Sequence, residues 1–144
     1  MNLPDIKIIK FLKEHHVLTL ATCTDNKPWC AHCFYVLLED EMGLVFTSDI
    51  ETRHIREALA NCYVSGSIVL ETTIAGKIQG IQFEGKLRIL DNHLSDKGNM
   101  AYLKRFPRTI LMNTTLWFLE LSHIKMTDNR LGLGNKLIWR NSTK

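Results

Sequence analysis

No apolar run in these 144 residues approaches the length needed to cross a bilayer, so the sequence offers no candidate membrane helix. Proline is scarce, at 3 residues, and the 8 glycines are dispersed, leaving no Pro/Gly/Ser-rich linker at which to divide the chain. One domain over residues 1–144 is expected, and a 45% hydrophobic content is enough for a single sizeable core. A dominant charge is missing too. The net charge is only +3, and apart from a local excess between Lys97 and Arg108 the basic residues are scattered, which argues against a nucleic-acid-binding stripe. The opening Asn2-Leu-Pro-Asp-Ile-Lys lacks the charge-then-apolar layout of a secretory signal, and a cytoplasmic location is the expectation.

Metal-ligand spacing is absent as well. Cys30-Ala-His-Cys33 is formally a C-x-x-C, but it falls in a predicted strand, where alternation sends the two thiols to opposite faces. Cys23 and Cys62 lie in other predicted strands without zinc-type spacing, so reduced thiols and no metal site are expected. His15-His16, at the end of the first helix, reads as charge compensation for the helix C-terminus.

What the chain does contain is a succession of strand signals. Val17 to Cys23 is β-branched and apolar, Asp25-Asn26-Lys27-Pro28 is a turn cluster, and Trp29 to Leu37 is an aromatic-rich strand; together they predict a hairpin. A second turn, Glu39 to Gly43, leads into a strand over Leu44 to Ser48, and a helix over 51–60 returns the chain to strands at Tyr63–Leu70 and Lys77–Leu90. In the last of these, Ile81, Phe83, Leu87 and Ile89 alternate with Gln82, Glu84, Lys86 and Arg88, which turns Gln82 away from the core. On Trp29–Leu37, parity separates Cys30, His32, Phe34 and Val36 from Trp29, Ala31, Cys33, Tyr35 and Leu37 without showing which set faces inward. A helix is predicted over Ser95–Arg105, ended by Pro107, and a final core strand over Thr115–Leu121.

The chemically suggestive stretch runs from Gly43 to Ala58, where a strand passes through Thr47 and Ser48 into a helix opening with Thr52-Arg53-His54. A helix start leaves backbone amides unpaired and carries positive potential, so hydroxyls and a cation there suit a phosphate. Thr47, Ser48 and Thr52 can donate hydroxyls and Arg53 a charge-assisted pair; the competing reading is an ordinary Thr52 N-cap followed by an exposed arginine.

This order of hairpin, third strand, phosphate-type turn, short helix and two more strands resembles the pyridoxamine-phosphate oxidase-like, FMN-binding split barrels. Phe46-Thr47-Ser48, Thr52-Arg53-His54 and Ile81 to Lys86 carry the resemblance. Within that superfamily the chain is similar to a group of small uncharacterised bacterial proteins, through Trp29-Cys30-Ala31, Phe34-Tyr35, Arg105-Phe106-Pro107, Thr127-Asp128-Asn129, Leu131-Gly132 and Ile138-Trp139. The resemblance implies a mainly β (α+β) fold: a six-stranded antiparallel split β-barrel with short flanking helices, paired as a homodimer with FMN at the subunit interface.

In that family's terms, Thr47, Ser48, Thr52, Arg53 and His54 would hold the phosphate, while His32, Cys33, Phe34 and Gln82 would surround the flavin ring. Gln82 is equally compatible with a solvated face. Trp139 is a candidate ring contact, with core packing as its alternative. The better-known oxidases have a cationic contact where His32 stands and a lysine where His54 stands, so this chain carries less fixed positive charge there. It also lacks the arginine- and histidine-bearing C-terminal motif of true pyridoxamine-phosphate oxidases. The function implied is an FMN-dependent oxidoreductase; the alternatives are a non-catalytic flavin- or haem-binding protein and an empty barrel kept for protein interaction.

Overall fold

The computed structural model describes residues 2–108 and 115–143. A first helix, α1 (Ile6–Glu14), is capped by Asp5, whose carboxylate accepts from the Lys7 amide, and buries Ile8, Ile9, Phe11 and Leu12. The hairpin β1 (Val17–Thr24) and β2 (Lys27–Leu38) follows, joined by Asp25 and Asn26 at φ 52° and 59°. A tight hairpin turn needs positive φ at both central positions, and Asp and Asn tolerate it. The turn is therefore shorter than the sequence cluster implied, and Lys27 and Pro28 already belong to β2.

Strand β3 (Gly43–Ser48) leads to α2 (Arg53–Ala60), β4 (Tyr63–Val69), a single 3-10 turn at Ala75–Lys77, and β5 (Gln79–Ile89). Helix α3 (Asn92–Arg105) precedes the 14-residue β6 (Thr115–Asp128), and a short β7 (Lys136–Arg140) follows. All pairings are antiparallel, in the order β3-β2-β1-β4-β5-β6-β7, and β3 also pairs with β6. That last pairing closes six strands into a ring, as a six-stranded split barrel requires, with β7 added outside the ring along the second half of β6. The strand at 136–140 lies outside the sequence expectations, which give Trp139 only a ring-contact or packing role.

Two apolar layers flank the barrel wall. Inside lie Leu18, Leu20, Tyr35, Phe46, Ile81, Phe83, Trp117, Leu119 and Met126, joined by Ile55 and Ala58 of α2 and by the buried face of α1. On the opposite face of β2, β3 and β6, helix α3 packs Leu94 and Tyr102 on Leu38, Val45 and Phe118. Ile81, Phe83 and Leu87 face the core as alternation predicts, but Ile89 at the end of β5 is 54% exposed. A register shift at Glu84/Gly85 displaces the alternation of β6, so Leu121 and Ile124 both point inward. No described helix is long and apolar enough to cross a membrane.

Candidate functional site

The turn into α2 brings together much of the predicted phosphate-binding set. Thr52 is the N-cap: its hydroxyl accepts from the Ile55 amide at 3.4 Å and donates to the Asp49 carbonyl at 2.8 Å. The Ser48 hydroxyl lies 2.6 Å from His54 Nε2, with Thr52 Oγ1 3.4 Å from the same nitrogen. Since the Thr52 proton goes to Asp49, Ser48 is the natural donor to Nε2, which leaves an N–H on Nδ1. The amides of Arg53 and His54 begin the helix and lie outside its own bonding ladder. Thr47 stands one residue before Ser48, and its hydroxyl donates to the Thr115 carbonyl at 3.3 Å.

Arg53 is placed differently from a free phosphate ligand. Its Nε donates to Glu57 Oε2 at 2.8 Å, and its guanidinium lies 4.1 Å above the centre of the Trp29 ring. Glu57 also accepts from the Thr22 hydroxyl at 2.8 Å, and these bonds, Arg53's foremost, hold its carboxyl below the usual range. Arg53 to Glu57 is an i,i+4 spacing, a signal that was present in the sequence. Arg56, one turn on, pairs instead with Glu51.

His54 is held below its ordinary value of 6.5 by burial. Folding therefore favours the neutral ring, and the stability this contributes is complete above about pH 6.5 and is lost as pH falls through the lower native value. His15 is lowered for the same leading reason, so both residues destabilise in the same direction on acidification. Urea melts between pH 5 and 7.5 should show His54→Gln with a shallower acid loss than the parent; identical pH slopes would refute the assignment.

On β2, the strand paired with β3, lies an aromatic surface on the outside of the barrel. Phe34 is 55% exposed, opposite the core, and its ring is parallel to His16 at a centroid distance of 6.0 Å and tilted against Phe106 at 5.7 Å. Tyr102 contacts Phe106 and donates its hydroxyl to the Phe34 carbonyl at 3.2 Å. His32, exposed on the same face, sits opposite Thr19 of β1. His16, Tyr102 and Phe106 were not among the predicted site residues; Phe106 stood in the Arg105-Phe106-Pro107 run but gave no sign of its neighbour in space.

Cys33 requires correction. Its side chain is in the core at 6% exposure, and burial raises its thiol to about 12, so it cannot join His32 and Phe34 around an outer ligand. The face that parity left open is settled by Tyr35, whose buried hydroxyl donates to the Leu12 carbonyl at 2.8 Å. Cys30 is exposed, on the opposite face from Cys33. Trp139 packs in the core at 3% exposure and donates Nε1 to the Asn2 carbonyl at 3.2 Å, which is its packing alternative. Gln82 is exposed on the outer face. Among the described residues, no group of three or more His, Cys, Asp or Glu side chains is arranged to hold a metal ion.

A closed ring of six antiparallel strands with a hydroxyl-rich helix start on its rim defines a split-barrel protein, and comparison with known sequences agrees. The family profile described as pyridoxamine 5'-phosphate oxidase matches residues 5–119, and the chain belongs to that family. Among related proteins, a UPF0306 protein of Photorhabdus laumondii is 40% identical over 133 residues, covering 92% of this chain and 93% of its own. A UPF0306 protein of Yersinia pestis is 38% identical over 141 residues, covering 96% of each. Solved structures share the fold at lower identity. A heme binding protein from Mycobacterium smegmatis superposes with a TM-score of 0.77 at 17% identity, over 97% of this chain and 60% of that one. A FAD-binding protein from Mesorhizobium loti gives 0.71 at 15% identity, over 86% and 94%.

Proposed function

We propose that this protein is an FMN-binding flavoprotein, an oxidoreductase acting as a cytoplasmic homodimer with the flavin between subunits. The observation that carries the reading is the joining of Ser48, Thr52 and His54 at the first turn of α2, with the exposed aromatic surface of Phe34 on β2, the strand paired with β3. The residue types fit the group. The hydroxyls and the free amides of Arg53 and His54 suit a phosphate, and Phe34, His32 and Gln82 offer a ring face and polar edges to a planar heterocycle. Bound flavin would supply the electron transfer, while the chain supplies binding and orientation. Exposed apolar side chains on the outer wall, including Tyr63, Val69 and Ile138, support pairing with a second copy.

The test is affinity for FMN against riboflavin by calorimetry. A charge-assisted hydrogen bond contributes about 1.5–3 kcal/mol, so FMN should bind roughly ten- to hundred-fold more tightly. Arg53→Ala should remove more of that difference than Arg56→Ala, because Arg53 opens the helix beside the free amides, although it must leave Glu57 and the Trp29 ring, while Arg56 lies a turn on, paired with Glu51. Equal affinity for the two ligands would overturn the phosphate assignment. A second reading is a non-catalytic carrier of haem or flavin, favoured by the exposed imidazole of His32 and by the haem-binding protein of the same fold. Failure of NADH and NADPH to reduce a bound flavin, together with a haem-type absorbance spectrum in the purified protein, would favour it.

A further inference from the structure

A trough of about 450 Å3 crosses the outer wall from β2 to β6, lined by side chains of Thr19, Ser65, Ser67, Gln82, His123 and Lys125. Within the described chain, Thr19, Ser65, Ser67, Gln82 and Lys125 make no side-chain hydrogen bond or ion pair. Lys125 is partly buried, and its ammonium has no carboxylate partner within the described chain. His123 Nε2 is fully buried and has no partner. Glu84, which also lines the trough, has its Oε2 3.8 Å from Nδ1 of the same ring, beyond hydrogen-bond distance.

An unpaired cation, three hydroxyls and an amide lining one depression match the lone pairs of a single oxyanion. The geometry points to an oxyanion subsite in this trough, with Lys125 as charge partner and Ser65, Ser67 and Gln82 as hydrogen-bonding groups, holding the carboxylate or phosphate of a small polar ligand. Resting on the flavoprotein reading, that ligand is the redox partner of the flavin. Cys30, which also lines the trough, shares its face of β2 with His32 and Phe34, so the trough adjoins the proposed ring surface.

The subsite can be tested without flavin. Inorganic phosphate and succinate, titrated into the purified protein at constant ionic strength, should shift the amide resonances of Ser65, Ser67, Gln82 and Lys125 saturably. A preference for phosphate or for succinate identifies which anionic group the subsite serves. Lys125→Gln should weaken the preferred anion about tenfold or more, the loss of one charged hydrogen bond. Lys86→Gln, on the same wall but with its ammonium 5.2 Å over the Tyr63 ring, should change it less than about twofold. Shifts elsewhere, no saturation with either anion, or equal effects of the two variants would overturn the subsite. If both anions bind as expected but FMN does not, the subsite stands and only its assignment to a flavin's partner falls.

Discussion

Gly66→Ala is expected to destabilise the protein by about 3 kcal/mol or more, the upper part of the range for overpacked sites. Gly66 sits in β4 between Leu20 of β1 and Phe83 of β5. A Cβ there would lie 2.2 Å from the Thr19 carbonyl oxygen and 2.4 Å from Cζ of the Phe83 ring. The ring has little room to turn, because Phe83 is 2% exposed within the core, and the carbonyl belongs to the paired strand. Relief requires parting β4 from β1, which would strain the barrel wall. Gly80→Ala is the internal control: its nearest neighbour would be the Ile68 carbonyl at 3.4 Å, so a change within about 1 kcal/mol is expected. Urea midpoints of the two variants decide the matter, and equal midpoints would mean that Phe83 does not pack over Gly66.

Arg105→Ala should cost about 2–3 kcal/mol, the loss of hydrogen bonds from a charged donor to otherwise unpartnered carbonyls. Its guanidinium donates to the Lys13 carbonyl at 3.1 Å and to the His15 carbonyl, the last groups of α1, while lying 5.6 Å from the Tyr35 ring and 5.7 Å from Phe106. One side chain thus ties the ends of α1 and α3 together beside the aromatic surface. Arg105→Lys should recover only part of the loss: both bonds leave one nitrogen, Nη2, which an ammonium can mimic, but lysine has no planar group to lie against the Tyr35 and Phe106 rings. The measurement is the denaturation midpoint of the three proteins, with near-UV circular dichroism reporting on the Phe34, Tyr102 and Phe106 cluster. Full recovery by lysine would show that charge alone, without the planar fork, holds this junction.

Much of the barrel was legible because alternation is a local property. Ile81, Phe83 and Leu87 against Gln82, Glu84 and Lys86 fixed the outward face of β5 from sequence, and Gln82 is exposed as that pattern required. β2 was ambiguous for a physical reason: it carries aromatics on both faces, since Phe34 joins an outer cluster under the end of α3 while Tyr35 fills the core. The bond from Tyr35 to Leu12 and the burial of Cys33 distinguish the two. The second half of β6 was missed because the register shift opposite Glu84/Gly85 breaks the inward alternation between Leu121 and Ile124. β7 was hidden for another reason. It is only five residues long, so its Leu-Ile-Trp run is too short to be told from a packed apolar tail, and its pairing is set by β6.

At the candidate site, the sequence located the hydroxyls and the helix start but not the competition for Arg53. Thr52 caps α2 as its position demands, so the competing reading of that residue holds whether or not a ligand joins it. The Trp29 ring beneath Arg53 comes from the start of β2, more than twenty residues away, and no local pattern connects them. His16 and Phe106 reach the face of Phe34 in the same non-local way.

The double pairing of β6 has a consequence for the order in which the protein can be assembled. β6 supplies the partner of β3, of β5 and of β7, yet it begins at Thr115. During synthesis, every earlier strand can therefore be complete while β3 and β5 both remain open edges with unpaired amides and carbonyls. Pairing β3 with β6 also joins residues as distant as Gly43 and Glu120, so ring closure is a late event with a large loop-closure cost. A ribosome paused before residue 115 would be carrying a sticky, unclosed sheet, and that interval is where a chaperone would be of most use to this chain.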